Sequence, residues 1–258
     1  MSKSQKIISL NFFILLFLWM NFSAHLSAQN NQGYIRYIRS SNWVKMMASL
    51  EYISEQEKAR NSYVWGNRSE WKTYCNLFFN DSLSKYEDSE EKVDPNEDDW
   101  SSRKTEYLIQ RNFHKNLISD NIDLFGKTYI IEDTLVSQNW KILNDMKEVA
   151  GHICMNASWE DTIKGQKVIA WFALDIPIPA GPERFCGLPG LILEVEINNG
   201  ALIISADKIE LKTLTSELNP PKKLKGKKIK EIDYQSNLYK TIQERKKMEQ
   251  PYFWGLRY

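Results

Sequence analysis

After residue 30, apolar and polar positions alternate in short runs, which is the pattern of β-strands rather than of long helices. Strand-length runs cover residues 33–39, 71–79, 128–134, 139–143, 149–155 and 167–174. They are rich in Ile, Val, Tyr and Trp, and turn residues such as Asn144-Asp145 and Gly165 separate the later ones. The pattern predicts an antiparallel meander.

The clearest local signal lies between residues 191 and 211. Three apolar residues alternate with Glu194 and Glu196 over 191–197, so the two glutamates share the solvent face of a half-exposed strand. The dipeptide Asn199-Gly200 then favours a type I′ turn into a second strand over 202–211. We therefore predict a β-hairpin here.

Other periodicities predict the remaining elements. Residues 71–79 alternate so that Cys75 points with the apolar set toward a core. Residues 43–60 have apolar spacings compatible with a helix, and residues 231–249 suit a polar helix.

Two charged segments flank the predicted sheet. Residues 85–103 contain eight acidic residues and hardly an apolar one, which predicts a solvated flexible loop; a calcium site is the alternative, but its D-x-D-x-D-G spacing is missing. Residues 222–258 contain eleven Lys and Arg against four Asp and Glu. The Lys-rich segment 222–230 suits peripheral contact with an anionic membrane or an acidic partner, or else a solvated helix.

The start of the chain has the pattern of a secretory signal. Lys3 and Lys6 precede an apolar run over 7–20, and Ala28 closes a small-residue cleavage site before Gln29. A retained membrane anchor is the alternative, but the run is shorter than the ~20 residues of a spanning helix. Removing residues 1–28 would change the net charge of the 258-residue chain from +1 to −1, since two lysines leave. This balance argues against nucleic-acid binding.

Export would place the three cysteines in an oxidising compartment. Cys75, Cys154 and Cys186 are an odd number, so either two pair and one stays free, or all three are small buried apolar side chains.

Candidate chemistry is sparse. His114 and His152 are the only histidines after residue 28, and no G-x-S-x-G, H-E-x-x-H or C-x-x-C spacing occurs. His152 and Cys154 share a strand face, so they could form a thiolate–imidazole pair, or half a soft-metal site with Met155 or Met46. A core strand without chemistry is the simpler interpretation.

The most distinctive segment is A-W-F-A-L-D-I-P-I-P-A-G-P-E-R-F-C-G-L-P-G-L-I-L-E-V-E, residues 170–196. Three prolines, Pro177, Pro179 and Pro182, fix φ and remove hydrogen-bond donors, so residues 175–184 should cross a sheet without joining it. Pro189-Gly190 favours a type II turn with Gly190 at positive φ.

This segment resembles the GLPGLI family of exported Bacteroidetes proteins. Similarity extends upstream through Trp140, the 151–154 segment and residues 170–178. The resemblance implies a β-rich envelope protein with no assigned reaction or cofactor. Cys154 occupies a frequent cysteine position of the family and Cys186 replaces a common Gly, which suggests a Cys154–Cys186 disulfide. The motif residues are Gly187, Leu188, Pro189, Gly190, Leu191 and Ile192.

Together these patterns predict a mainly β protein: an antiparallel curved sheet or half-barrel with an N-terminal helix and a C-terminal polar helix. The expected divisions are a signal peptide at 1–28, a β-rich domain at 29–218 and a basic tail at 219–258. We expect a periplasmic, envelope or secreted location. The predicted function is non-enzymatic binding of an envelope protein or apolar ligand. The nine Trp favour this prediction, because aromatic residues are enriched at recognition sites. No cofactor or metal is predicted. The alternative is a metal-handling protein or enzyme using His152 and Cys154.

Overall fold

The computed structural model describes residues 31–66, 69–93, 107–221, 223–253 and 257. The predicted signal segment 1–28, residues 94–103 of the predicted acidic loop, and Lys222 lie outside these residues. The helices are α1 (Trp43–Ala48), α2 (Glu55–Trp65) and α3 (Glu231–Lys247). The strands are β1 (Gly33–Asn42), β2 (Glu70–Phe79), β3 (Leu83–Asp88), β4 (Tyr107–Asn112), β5 (Leu117–Leu124), β6 (Lys127–Thr134), β7 (Lys141–Val149), β8 (His152–Asp161), β9 (Gln166–Ala173), β10 (Leu191–Ile197), β11 (Leu202–Leu211) and β12 (Lys227–Ile229).

In the described residues, the twelve strands form one open sheet in the order β12-β6-β5-β4-β3-β2-β1-β11-β10-β9-β8-β7. Neighbours are antiparallel except for β12, which pairs parallel to β6. Strand β1 lies inside the sheet, between β2 and β11. The prediction of a mainly antiparallel sheet with helices near both ends is confirmed.

A short linker requires this sheet to curve. Strand β6 is second and β7 is twelfth in the sheet order, so a flat sheet would separate them by about 48 Å at the usual ~4.8 Å strand spacing. Only residues 135–140 connect the two strands, and seven extended steps span at most about 25 Å. The sheet therefore curls so that its two edges approach each other.

One face of the curved sheet carries the main core. The inner face bears Tyr37 on β1, Ile109 on β4, Asp120 on β5 and Phe172 on β9, and all four side chains are buried. Within β2, the predicted phase is correct, because Cys75 is buried with its apolar neighbours Leu77 and Phe79.

The predicted turn at Asn144-Asp145 is wrong. Strand β7 continues through both residues to Val149, with a register irregularity between Ile142 and Met146. Asn156 of β8 explains the difference: its side chain accepts a hydrogen bond from the Asp145 backbone N–H at 3.1 Å and donates one to the Asp145 carboxylate at 2.9 Å. The two turn-forming residues thus make a β-bulge, and the reversal occurs at Ala150-Gly151, where both φ angles are positive.

The predicted hairpin over 191–211 is present, but its turn is longer than predicted. Leu202 pairs with Ile197, which leaves a four-residue loop rather than a two-residue type I′ turn. Asn198, Asn199 and Gly200 all adopt positive φ. As predicted, Glu194 and Glu196 are more exposed than the apolar residues between them.

The predicted helix over 43–60 is divided into two. Asn42 caps α1 and Ser54 caps α2, each accepting a hydrogen bond from a backbone N–H three residues later. Leu50 and Ile53 are buried in the connection between the helices.

The predicted flexible loop also begins later than expected. Residues 85–88 belong to β3 and pair with β2 and β4, because Tyr86 supplies an inward-facing apolar ring. The acidic character therefore starts on a strand.

The basic tail packs against the sheet. Strand β12 pairs with β6, and α3 buries Tyr234, Leu238 and Ile242. The described residues accordingly fall in one compact unit. Among the described helices, none has the length and apolar character needed to cross a membrane.

Candidate functional site

The connection between β9 and β10 contains the distinctive motif and covers the inner face; we call residues 174–190 the motif loop. The Gly187 N–H donates to the Pro179 carbonyl at 2.9 Å, within the loop. The Tyr37 hydroxyl of β1 donates to the Ile192 carbonyl at 2.7 Å, just after the loop. The proline-rich residues therefore cross the sheet without extending its ladder, as predicted.

The motif glycine Gly190 has a different role from the one predicted. Gly187 has φ +88°, whereas Gly190 has no positive φ, so the predicted type II conformation at Pro189-Gly190 is wrong. Position 190 needs glycine for another reason: a Cβ atom there would lie 2.1 Å from the Ala173 carbonyl oxygen. The close approach of the backbone to the end of β9 therefore requires glycine at position 190.

An aromatic cluster holds the motif loop in place. The rings of Trp140, Trp159 and Phe185 have centroids 6.2–6.4 Å apart. The Trp140 indole N–H also donates to the Cys186 carbonyl at 2.9 Å. These tryptophans therefore pack the loop against β8 and the β6–β7 linker instead of forming an open recognition surface.

Arg184 of the motif loop joins a buried ion network. It donates to Asp120 of β5 at 2.9 Å and to Glu231 of α3 at 2.6 Å. Asp120 is fully buried and also pairs with Arg111 of β4. Although burial alone lowers the pKa of Arg184, Asp120 and Glu231 raise it above the ordinary arginine value. The network links the loop to β4, β5 and α3.

Glu183 enters a second network on the inner face. Its side chain is fully buried, and it accepts a hydrogen bond from Arg39 of β1 at 2.9 Å. Its φ of +51° is uncommon for a residue other than glycine. Arg257, near the end of the chain, lies 3.5 Å from the same carboxylate.

The space beside this network is nearly filled. A cavity of about 20 Å³ is lined by Arg39, Gln166 and Arg257 among others, which is room for about one water molecule. The Gln166 Oε1 and Arg257 Nε atoms are buried and have no hydrogen-bond partner in the described part of the chain. Tyr252 and Phe253 cover the cavity from the C-terminal side. This part of the inner face does not form an open groove.

His152 and Cys154 lie on the same strand, as predicted. His152 Nδ1 is 2.6 Å from an Asp175 carboxylate oxygen, and the Cys154 thiol contacts the His152 carbonyl. Cys154 is buried, and burial raises the pKa of its thiol to about 11. The thiol is therefore protonated near neutral pH and is a poor nucleophile.

The predicted soft-metal set does not assemble. Met155 faces the opposite side of β8 from Cys154, beside Phe172, and Met46 lies at the cavity near Arg39. Within the described part of the chain, no group of three or more His, Cys, Asp or Glu side chains has the arrangement of a metal site.

All three cysteines are buried free thiols, so the predicted Cys154–Cys186 disulfide is absent from the structure. The two residues have different surroundings: Cys154 lies near Lys147 and Glu194, whereas Cys186 lies near Arg111 and Ser137. The alternative that cysteines serve as small buried apolar side chains agrees with this arrangement.

An exposed apolar surface lies at the β7 edge of the sheet. Ile142 and Met146 of β7 pair with inner-face residues of β8 and are 52% and 65% exposed. Ile153 of β8 is 57% exposed, and Leu174 continues the β9 register beside it and is 50% exposed. We call Ile142, Met146, Ile153 and Leu174 the edge patch.

The charged side chains of β7 protect this edge only partly against pairing with another strand. The Lys147 ammonium group lies 4.2 Å from the Trp171 ring centroid and pairs with Glu194, so it is held against the sheet. Asp145 is tied to Asn156. Charges and bulges normally discourage pairing at an edge strand. On β7, Lys147 and Asp145 interact within the chain, whereas the bulge and the exposed Lys141 and Glu148 are retained.

The Lys-rich segment at the opposite edge is solvated and partly paired. Lys228 pairs with Glu132 at 2.9 Å, and Lys230 donates to the Glu132 carbonyl at 3.1 Å. Lys223, Lys225 and Lys227 are also exposed.

Sequence reasoning missed the buried ion networks. Glu183 and Arg184 stand in an otherwise apolar and proline-rich segment, and this was the available signal, because an acid–base pair rarely occurs in such surroundings without buried partners. Their partners Arg39, Asp120 and Arg257 are far away in sequence, so the local pattern gave no sign of them.

A family model described as "Protein of unknown function (Porph_ging)" matches residues 138–194. These residues include the aromatic cluster, Cys154 and the whole motif. The match supports a relationship to a family of unknown function, while the GLPGLI name remains a resemblance. No protein with a curated description matches the sequence.

Two solved structures share the fold. "Structure of PNGF-II in C2 space group" matches with a TM-score of 0.51 and 15% identity over 81% of this chain and 33% of that chain. "Structure of PNGF-II in P21 space group" matches with a TM-score of 0.51 and 14% identity over 81% and 34%. The chain spans about one third of the length of these structures. It is thus similar to PNGF-II in fold, and over residues 138–194 to a family of unknown function.

Proposed function

We propose that this chain is an exported, non-enzymatic accessory module of the cell envelope that binds an extended segment of a protein partner at its β7 edge. The edge patch carries the proposal, because four exposed apolar side chains lie together beside an edge strand whose outer backbone groups have no partner strand among the described residues. A partner strand added to β7 would satisfy those groups and cover the patch.

Other observations favour a protein partner over the alternatives. The cavity beside Arg39 and Arg257 is too small for an apolar ligand, which argues against ligand binding at that point of the inner face. The raised pKa of Cys154 argues against a catalytic pair with His152. In PNGF-II a similar fold makes up about one third of a longer chain, which suits a module that works beside other domains.

The decisive experiment compares chains crosslinked in their own envelope. Met146→Glu combined with Ile153→Glu places two charges in the patch, and we expect it to reduce recovery of a specific crosslinked partner at least tenfold, because each buried charge would be unpaired. The readout is quantitative mass spectrometry of crosslinked complexes. Recovered chains should begin at Gln29 if the signal is removed.

Val136→Glu combined with Ile232→Glu is the matched control. Both residues are exposed apolar side chains, at 78% and 75%, and lie outside the patch. We expect this control to recover the partner like the unchanged chain. Equal loss in both variants, or equal recovery in both, would contradict binding at the β7 edge.

A further inference from the structure

The guanidinium group of Arg257 lies in a preformed site on the inner face. Its Nη1 atom donates to both carboxylate oxygens of Asp88 at 2.6 and 2.7 Å. Its Nη2 atom lies 3.5 Å from Glu183 Oε1 and 3.8 Å from the Cys75 thiol. The guanidinium carbon stacks 3.9 Å from the Tyr107 ring centroid. We call Cys75, Asp88, Tyr107 and Glu183 the guanidinium site.

Among the described residues, those that contact the Arg257 guanidinium belong to the sheet or to the motif loop. Cys75 and Asp88 are register partners on β2 and β3, and Tyr107 begins β4. Glu183 is held independently by Arg39. The site therefore keeps its walls when Arg257 is absent, and Arg257 contributes only the bound group.

The chemistry of the site suits a planar cation. Asp88 contacts Nη1 and Glu183 contacts Nη2, so the two carboxylates lie at two different nitrogens, a spacing that a planar guanidinium provides and a single ammonium nitrogen does not. The Tyr107 ring adds a cation–π contact. Without Arg257, Asp88 loses its ion pair, while Glu183 keeps its hydrogen bond to Arg39.

We propose that this is a binding site for guanidinium groups, occupied within the chain by Arg257 and able to accept a guanidinium from another molecule when Arg257 does not fill it. The ligand class is an alkylguanidinium, either a small free cation or an arginine side chain carried on a polypeptide. The proposal does not depend on partner binding at the β7 edge, which lies on other strands.

Chemical rescue of Arg257→Ala tests the site. The variant should unfold at a lower temperature than the unchanged chain. Ethylguanidinium at about 10 mM, far below denaturing guanidinium concentrations, should raise the thermal midpoint saturably and recover at least half of the loss. Ethylammonium at equal concentration and ionic strength should recover less than a quarter as much. N-acetyl-arginine amide is the second ligand, and rescue by it would show that the site also takes arginine on a peptide backbone.

Two variants make the test specific. Arg257→Ala combined with Asp88→Asn should lose the response to ethylguanidinium. Arg36→Ala is the matched control, because Arg36 also contacts two carboxylates and lies 4.3 Å from a tyrosine ring centroid, but at a more exposed position. It should show no saturable response. If Arg257→Ala does not fold alone, the soluble yield on refolding with each cation becomes the readout. Equal effects of the two cations, or a response retained by the double variant, would overturn the proposal.

Discussion

Gly190 allows two backbone segments to approach more closely than a side chain would permit. The motif loop returns to the sheet at this residue, and a Cβ atom would lie 2.1 Å from the Ala173 carbonyl oxygen. The contacting atom belongs to the backbone of β9, so it cannot move aside by changing a rotamer. The glycine therefore fixes where β10 begins.

We expect Gly190→Ala to lower the free energy of unfolding by about 3 kcal/mol or more, because β9 or the loop must shift. Gly126→Ala is the matched control: Gly126 has φ +82°, but nothing lies within 4 Å of the position that a Cβ atom would take there. It should cost only about 1–2 kcal/mol, from backbone conformation. Urea titrations followed by circular dichroism measure both values. A larger loss for Gly126→Ala would contradict the steric explanation.

At this scale the sequence predicts what is local. The alternation in β2 and β10 correctly gave the buried positions Cys75 and Val195, because a strand's two faces follow directly from residue parity. The role of Gly190 was missed, because its reason is an approach to β9 that the hexapeptide does not contain.

The motif loop is the element that joins distant strands through charge. Arg184 reaches Asp120 on β5 and Glu231 on α3, while Glu183 reaches Arg39 on β1. Each buried charge in these networks has a partner of opposite sign, so the cost of burial is offset only while the set is complete. The networks fix the loop's position more strictly than its apolar contacts would.

Asp120→Ala tests this linkage. Because Arg111 and Arg184 would both lose their carboxylate at a buried position, we expect the free energy of unfolding to fall by about 3–5 kcal/mol. Glu132→Ala on the neighbouring strand removes an exposed pair with Lys228 and should cost at most about 1 kcal/mol. Chemical denaturation gives both numbers, and similar small losses in the two variants would show that the buried network contributes little.

Element boundaries were predictable where strand alternation and turn residues agreed. The predicted boundary at Asn144-Asp145 was wrong, because the Asn156 side chain on β8 forms hydrogen bonds with Asp145 that let β7 continue. The prediction of one helix over 43–60 was also wrong, because Asn42 caps α1 and Ser54 caps α2, which makes two helices of one apolar pattern. In each case the hydrogen bonding of a single polar side chain outweighed the local propensity.

The whole described unit is tied together across its curvature. Strand β1 pairs with β2 on one side and β11 on the other, and one apolar cluster runs along the inner face from β1 to β10. The six-residue β6–β7 linker keeps the two edges of the sheet near each other. No described part of the sheet has a separate core.

We therefore expect one cooperative unfolding transition. Far-UV circular dichroism, which reports the sheet, and tryptophan fluorescence, which reports the surroundings of all the tryptophans from Trp43 to Trp171 and beyond, should give coincident midpoints in urea. The same coincidence should persist in Glu132→Ala. Separate midpoints would contradict a single cooperative transition.

The candidate site was only partly predictable at this scale. The motif correctly identified the segment that contains Glu183. Its partners lie on β1 and near the chain end, and a single sequence contains no signal that these residues are in contact. The edge patch was hidden for a similar reason. Ile142 lies in a predicted strand and Met146 lies just beyond it, and only the sheet order places β7 at an edge.

The position of β1 inside the sheet has a consequence for how the protein is made. Gly33 pairs with Leu211, 178 positions later in the sequence. A chain that emerges N-terminus first can build the meander from β1 to β6 early, but one side of β1 stays unpaired until β11 has emerged. Such late, long-range strand pairing slows folding. It also leaves the unpaired edge of β1 exposed to aggregation in the nascent chain. The pairing of β1 with β11 is therefore the folding step with which a chaperone or a wrong partner would compete.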